Sequence, residues 1–587
     1  MMRDFFRVLV VDLATGKGEP VNLEGRATHL GGSGLAALLF ERYGDVRKPW
    51  NDPEQPLIFA IGPLTGAFPL MSKTVCGFLS PYHNQYAESH AGGRSALALR
   101  FADLAALVLR GRAPHPAFLT VASRHLKLSD ASYLWGLEVD DAGKLLRRIS
   151  PGSGHRGILR IGPAGETGSA MAGINVDTYR HFGRLGAGAV MGAKRLKALV
   201  IHGDAAFDLP SSSDYPKLFQ KIHQQVTATP MMDKYHHLGT PANVAVLNQL
   251  QALPVRNLQA THDPAAAGIS GERFAEQALL RNMACSGCPL GCIHVGFIRE
   301  PFLEPDHYLY RQVAYDHEPI FAVGSMLGVT DPFQVLAIID AAERQGLDVM
   351  AAGVALAWAT EASATGLISE AETLLPLQFG AAAGYRQAMG HLGRGRNDFY
   401  RLLAQGTLGA ADQYGGRDFA CVLGQEMAGY ATGEVFFISQ ALGFRHSHLD
   451  TGGYAYDQQA HPKDAVAAVD FLIQDEQERV LLTSLVSCLF ARAVYNRELT
   501  VACLSVLGYG EAATNLDQIA AGIQAERWRL RLAGGFDPRQ VPIPKRFTEV
   551  VTGKGRIDPD YLAALQREYS RRIGAWSAME SETETGA

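Results

Sequence analysis

Three cysteines fall within eight positions, Cys285-Ser-Gly-Cys288-Pro-Leu-Gly-Cys292, and this spacing constrains the chain's fold more than any other feature. Soft thiolates on a short loop that can curl suit a cubane iron–sulfur cluster, which takes four such ligands. Gly287, Pro289 and Gly291 supply the curl, and their flanking amides can point at cluster sulfurs. Three thiolates are one short. A cluster here therefore requires a fold that carries a distant cysteine to this loop.

Seven cysteines at 76, 285, 288, 292, 421, 488 and 503 make an odd, unevenly spaced set, which is a poor disulfide framework. At 587 residues the chain has room for two to four domains and a large buried core. A formal charge of −5 gives no reason to expect nucleic acid or an anionic membrane as partner. No apolar run is long enough to span a membrane, and MMRDFFRVLVVDL lacks the form of a secretory signal. These features predict a cytoplasmic protein.

Residues 1–206 read as β-rich. RVLVVDL, PLIFAIG, LAALVLRGR, GILRIG and LKALVIHG are short apolar runs separated by glycine turns. From 207 onward helical periodicity dominates, as in FQVLAIIDAAERQGL, VALAWATEASATGLI and AVAAVDFLIQDEQERVLLTSLVSCLF. A glycine- and charge-rich stretch at 395–420 divides this half, giving an α+β chain with domains at 1–206, 207–410 and 411–587. The tail ESETETGA is acidic and polar, a composition that predicts disorder.

Four glycine clusters mark the first domain: LGGSGLAALLF, AIGPLTG, HAGGRSALALRFA and GRLGAGAVMGAKRLKALVIHG. Each joins glycines to an apolar element, so backbone amides can face an anion. Lys73, Arg94, Arg184, Lys194 and Lys197 lie nearby, and together they suggest a phosphate-bearing cofactor. Taken singly, each cluster also reads as an ordinary turn. LGGSGLAALL lacks the acidic ribose partner of a dinucleotide fingerprint.

In this order, and together with CSGCPLGC, the clusters resemble the tungsten-dependent aldehyde:ferredoxin oxidoreductase family. The resemblance runs through nearly the whole chain: GPLTG at 62–66, AGG at 91–93, RIGPAGE at 160–166, GT at 239–240, LPVRN at 253–257, QGLD at 345–348 and IPKRFTE at 543–549. It implies an N-terminal β-saddle domain binding a tungsten (or molybdenum) bis-pyranopterin, covered by two mainly α-helical domains. It further implies one 4Fe–4S cluster held by Cys285, Cys288, Cys292 and Cys488, and Mg2+ bridging the pterin phosphates. Cys76, Cys421 and Cys503 remain as buried small hydrophobes. Electrons would pass to ferredoxin or a dedicated iron–sulfur subunit; a homo-oligomer is left open.

The resemblance assigns the cofactor to Lys73, His90, Gly92, Gly93, Arg184, Leu185, Gly186, Glu343, Leu347, Asp348, Arg445 and Leu489. Carboxylates suit a pterin edge because it offers paired N–H donors. Gly346, in the same stretch as Glu343, Leu347 and Asp348, also reads as a helix C-cap. Several positions depart from the family pattern. Lys73 replaces an arginine and loses its two-pronged geometry. His90 replaces a magnesium-side asparagine, Thr483 a pterin-side aspartate, and Asp450 a basic residue of some relatives.

The resemblance makes Glu318, in YDHEPIFAVG, and His448, in GFRHSHLDTGG, the acid/base pair for oxidising an aldehyde to a carboxylate. His317 and His446 add further imidazoles, which suggests a polar or anionic substrate. Reaction on a 2-hydroxycarboxylate or an aromatic acyl-CoA with the same cofactors is the alternative. A zinc-holding cysteine triad and radical chemistry fit less well, the latter because its CxxxCxxC spacing is the reverse.

Overall fold

The structure, a computed structural model, describes residues 4–578 apart from 151, 153, 154, 178 and 303. The acidic tail lies outside the described residues.

Two six-stranded sheets build the N-terminal half. One runs β2-β1-β6-β3-β4-β5 and comprises β1 (Phe6–Asp12), β2 (Lys17–Leu23), β3 (Leu57–Ala60), β4 (Thr74–Leu79), β5 (Tyr86–Ala91) and β6 (Ala106–Arg110). The other runs β11-β10-β9-β12-β7-β8 and comprises β7 (Ala117–Ala122), β8 (His125–Asp130), β9 (His155–Arg160), β10 (Ile174–Val176), β11 (Arg180–Phe182) and β12 (Leu196–Gly203). All five apolar runs read as strands form β1, β3, β6, β9 and β12.

Alternation along β3 shows how the layers arise, because successive side chains leave opposite faces of a strand. Leu57 and Phe59 join Leu119, Leu159, Phe182 and Leu199 in a core between the two sheets. The rings of Phe59 and Phe182 meet edge-on at 5.6 Å. Ile58 and Ala60 face the other way, onto Leu35, Ala36, Leu39 and Phe40 of the helix Gly32–Tyr43. Each large side chain buried in these layers stabilises the fold by roughly 1.5–3 kcal/mol. Cys76 sits in the inter-sheet core, and Cys421 and Cys503 are likewise buried, as small hydrophobes would be.

The C-terminal half is mainly helical, with Pro332–Gln345, Val349–Ala364 and Ala465–Ser484 matching the periodic segments. The last stops short of Cys488. It also carries a three-stranded antiparallel sheet of β13 (Leu279–Met283), β14 (Ile293–Phe302) and β15 (Glu304–Tyr315). The cysteine loop is the β13–β14 connection. Among the described residues no single helix is long and apolar enough to cross a membrane.

Candidate functional site

The cysteine loop is built by backbone geometry. Gly287 and Gly291 take left-handed conformations at φ 71° and 63°, which favour glycine, and the Cys288 amide donates to the Cys285 carbonyl at 3.2 Å to close the first turn. Three remote segments are stitched to this loop. Ser286 N donates to Gly93 O at 3.0 Å, Leu70 N to Gly287 O at 3.3 Å, Cys488 N to Leu70 O at 3.0 Å and Lys73 N to Val486 O at 3.2 Å. Cys488 therefore arrives beside a loop some 200 positions earlier in the chain.

The thiols lie within one another's electrostatic reach. Burial, reinforced by Cys488, Cys285 and Cys292, pushes the Cys288 thiol up to about 12. Burial likewise raises Cys292 to about 11, against the pull of Arg180. Cys285 goes the other way: burial opposes ionisation, but Lys73 and Arg180 outweigh it. Among the described residues no three His, Cys, Asp or Glu side chains converge as ligands of a single ion do. Gly92 sits against the loop: a Cβ there would lie 2.5 Å from Cys285 Sγ. The donor set of four soft sulfurs with two cations beside it fits an anionic iron–sulfur cluster.

Arg184, Asp348, Glu343 and Arg445 form a group of charged side chains that are largely covered yet keep part of their surface. Arg184 Nη2 donates to Glu426 O at 2.5 Å. Its Nε lies 3.6 Å from Asp348 Oδ2, yet Arg184 Nε, Arg184 Nη1 and Asp348 Oδ2 are buried without a hydrogen-bond partner. Native proteins leave few such atoms unpaired, so this orphaned set fits a polar group that the protein alone does not supply. Asp348 also caps the helix Val349–Ala364 through Met350 N, and burial lifts its carboxyl to about 6. Burial and Asp140 push Glu343 up to about 8, although Asn175 Nδ2 donates to it at 3.2 Å. Gly346 does cap the preceding helix at φ 75°, so the cap reading holds for this stretch.

Other expected positions are built into the walls. Gly186 takes φ 84°, and a Cβ there would meet Pro81 Cγ at 2.2 Å. The side chains of Leu185 and Leu347 are buried, which leaves their backbones as the polar surface; Leu185 O accepts from Ser80 Oγ at 2.8 Å. Gly93 turns at φ 98°, and Leu489 opens the turn that follows Cys488. His90 is committed at both ring nitrogens, 3.1 Å from Glu88 Oε2 and 3.1 Å from Arg445 Nη1. Because a guanidinium only donates, Nδ1 accepts and the proton resides on Nε2. Burial and Arg445 hold this imidazole down at about 4. Arg445 itself is locked to Asp450, Nε to Oδ1 at 2.6 Å. Lys194 and Lys197 do not face an anion site: Lys194 Nζ donates to Pro53 O and Gly111 O, and Lys197 pairs with Glu166.

Glu318 and His448 meet. The helix His317–Val323 presents Glu318, whose Oε1 lies 3.1 Å from His448 Nε2 and receives the Tyr430 hydroxyl at 3.1 Å. Burial alone would raise this carboxyl, but the hydrogen bond from His448 outweighs it and holds it well below the usual range. The neighbouring Asp316 takes the opposite shift, raised to about 6 by burial and by Glu318, since adjacent carboxylates split their titrations. His448 Nδ1 is buried with no partner. Of the two further imidazoles, His446 is taken up by its neighbours, while His317 keeps Nδ1 unpartnered as His448 does. His446 donates from Nδ1 to Ala441 O at 2.9 Å and accepts from Arg531, and His317 engages Gly429 O.

The sequence reading missed Arg180, Asp316 and Tyr430. Arg180 stands beside Cys285 and Cys292 and lies 3.8 Å from Asp316. It thus places a guanidinium between the cysteines and the carboxylates, close to where Lys73 departs from the family arginine. Asp316 stands two positions before Glu318 in YDHEPIFAVG, whereas Arg180 and Tyr430 carry no signal short of the tertiary structure.

Comparison with known proteins gives concordant matches. Residues 8–203 match the family described as aldehyde ferredoxin oxidoreductase, N-terminal domain, and residues 217–577 match its domains 2 and 3. The tungsten-containing aldehyde ferredoxin oxidoreductase of Pyrococcus abyssi is 30% identical over 436 residues, 72% of this chain and 70% of that protein. That of Pyrococcus furiosus is 29% identical over 574 residues, 94% of this chain and 92% of its own. The active site complex BamBC of benzoyl coenzyme A reductase superposes with a TM-score of 0.79 at 19% identity, covering 97% of this chain and 95% of that one.

Proposed function

The chain belongs to the aldehyde ferredoxin oxidoreductase family, and from that premise we propose that it oxidises an aldehyde to the carboxylic acid using a tungsten (or molybdenum) bis-pyranopterin and one 4Fe–4S cluster. Its electrons pass to ferredoxin or an iron–sulfur subunit. The orphaned atoms of Arg184 and Asp348 support a pterin at that pair, and Lys73, Gly92 and Arg184 would hold it on the cysteine side. Leu185 and Gly186 would hold its phosphates, with Mg2+, through their backbones. When bound, the metal–pterin supplies oxygen transfer and takes up two electrons.

The protein's own part is proton handling. Conversion of an aldehyde and water to an acid releases two protons with the two electrons. Glu318 is held ionised, so it is a weak base and serves to orient and charge-balance. It fixes the His448 Nε2–H, which leaves Nδ1 as the proton-accepting atom, and the carboxylate stabilises the imidazolium that forms. A buried acid–imidazole pair with one free ring nitrogen suits this task. Tyr430 fixes the carboxylate's second direction.

The 3.1 Å contact of Glu318 with His448, with its free Nδ1, carries this reading. The test is a viologen-dye assay of anaerobically purified protein on aldehydes, 2-hydroxycarboxylates and aromatic acyl-CoA esters. Aldehyde turnover supports the proposal; turnover of only one of the other classes replaces it. The likeness to the benzoyl coenzyme A reductase complex shows a shared fold and leaves the substrate to this assay.

A further inference from the structure

Electrons held at the cysteine loop need an exit, and the loop reaches the surface. Ala284 and Gly287 bring the loop itself to solvent. From the loop the β13–β15 sheet projects, and the register sets Arg281 opposite Val295, Arg299 opposite Tyr310 and Phe297 opposite Gln312, all on one face. Arg281 Nη2 donates to Gln312 Oε1 at 2.7 Å, which confirms that the first and third strands share that face. Arg299 stacks over Tyr308 at 3.9 Å. Tyr310 is 68% exposed. On the other side of the loop, Arg94 is exposed beside Gly93, whose carbonyl holds Ser286.

Among the described residues no carboxylate forms an ion pair with Arg94, Arg281 or Arg299; buried Asp177 is the acid that feels Arg94. By strand register Glu304 and Asp306 lie at the turn end of the hairpin, nearer Arg299 than Arg281. The face therefore combines exposed arginine and tyrosine, the residue types that dominate binding energy at protein interfaces. Nearest the cysteine loop, Arg94 and Arg281 supply exposed positive charge on a chain whose net charge is −5. Arg299 lies seven strand residues from Cys292, about 23 Å at the rise of a strand. A small carrier domain, with a radius of gyration near 13 Å for about 100 residues, can cover that face and still touch the loop.

We propose that the outward face of the β13–β15 sheet, with Arg94 across the cysteine loop, is the docking surface for a freely diffusing acidic iron–sulfur protein. This deepens the functional reading above and rests on it for the direction of electron flow. The polar, charged character of the face suits a reversible encounter steered by charge better than a permanent subunit contact.

The test uses the holoenzyme with a purified acidic two-cluster ferredoxin as probe. Binding is measured without substrate at low and high salt, and turnover is measured with ferredoxin and, separately, with methyl viologen. The Arg281→Glu/Arg299→Glu double variant is expected to weaken ferredoxin binding about tenfold at low salt and to flatten its salt dependence. Its viologen turnover stays at the wild-type level. Lys127→Glu, on the remote strand β8, leaves both unchanged. Tyr310→Ser removes a contact without reversing a charge, and it weakens binding severalfold even if the double variant folds poorly. Unaltered ferredoxin binding in both sheet variants overturns the proposal, as does a stoichiometric iron–sulfur subunit copurifying on this face. Wild-type protein inactive with viologen on every aldehyde refutes the functional reading instead, while the binding arm still decides the docking surface.

Discussion

Replacing Gly92 by alanine tests the cysteine loop at its tightest contact. The added Cβ would sit 2.5 Å from Cys285 Sγ, about 0.9 Å inside the 3.4 Å at which ordinary contacts begin, while Lys73 Nζ at 3.4 Å is undisturbed. The loop offers Cys285 little retreat, because Ser286 is tied to Gly93 and Cys288 to Cys285. The sulfur must move by most of an ångström, whereas metal–ligand distances are held to within about 0.2 Å. A rotamer change of the cysteine costs only about 0.5–1.5 kcal/mol, so the chain still folds and the cluster ligation is lost. Iron and labile sulfide per chain, with electron paramagnetic resonance of the reduced protein, are expected to fall below half the wild-type level. Gly390→Ala, where nothing lies within 4 Å of the new Cβ, retains full iron. Gly92→Ala with full iron, full sulfide and an unchanged spectrum would refute the reasoning.

Three further outcomes follow from the site. Glu318→Gln keeps the shape but loses the charge behind His448, so turnover drops about 10²–10⁴-fold at unchanged metal content; a loss below threefold would remove Glu318 from the chemistry. Glu343, raised to about 8, and Asp348, raised to about 6, bind more protons folded than unfolded. The cofactor-free protein therefore loses stability as pH rises from about 4.5 to about 8. Thermal melts at pH 5 and pH 8 should show a smaller loss in Glu343→Gln, and equal losses would contradict this assignment. Thr483→Asp restores the carboxylate that relatives carry, but Thr483 Oγ1 lies 2.9 Å from Ser33 Oγ, whose one proton goes to buried Glu88 at 2.7 Å. A second carboxylate there destabilises by about 3 kcal/mol or more, and adding Glu88→Gln recovers part of it; an unchanged melting temperature for Thr483→Asp would count against the account.

The Thr483 case also shows what the sequence could tell. Its departure from the family pattern was plain, but the reason lies in Glu88, which Arg527 pairs at 2.7 Å from a helix 439 positions later in the chain. Elements whose signal is local were legible. Leu57 and Phe59 against Ile58 and Ala60 follow from period-two alternation, and the cysteine loop follows from soft ligands at short spacing. The pairing of Glu318 with His448 came through family resemblance, since the two stand 130 positions apart. Arg180, Asp316 and Tyr430 acquire their places only when β11, the helix at 317 and the loop at 430 come together. Lys194 and Lys197 were misjudged because a cation beside a glycine motif suggests phosphate, whereas their stems run into the fold and their ammonium groups meet carbonyls and Glu166. The β13–β15 sheet escaped notice inside a helical half because its strands flank the cysteine loop, whose chemistry drew the reading away from the alternation of IHVGFI.

The most direct test is the composition of anaerobically purified protein: tungsten, molybdenum, iron, zinc, labile sulfide and pterin per chain. The account predicts about one tungsten or molybdenum, two pterins and about four irons with matching sulfide. A folded, colourless chain with zinc at the cysteines and neither iron nor pterin would contradict it.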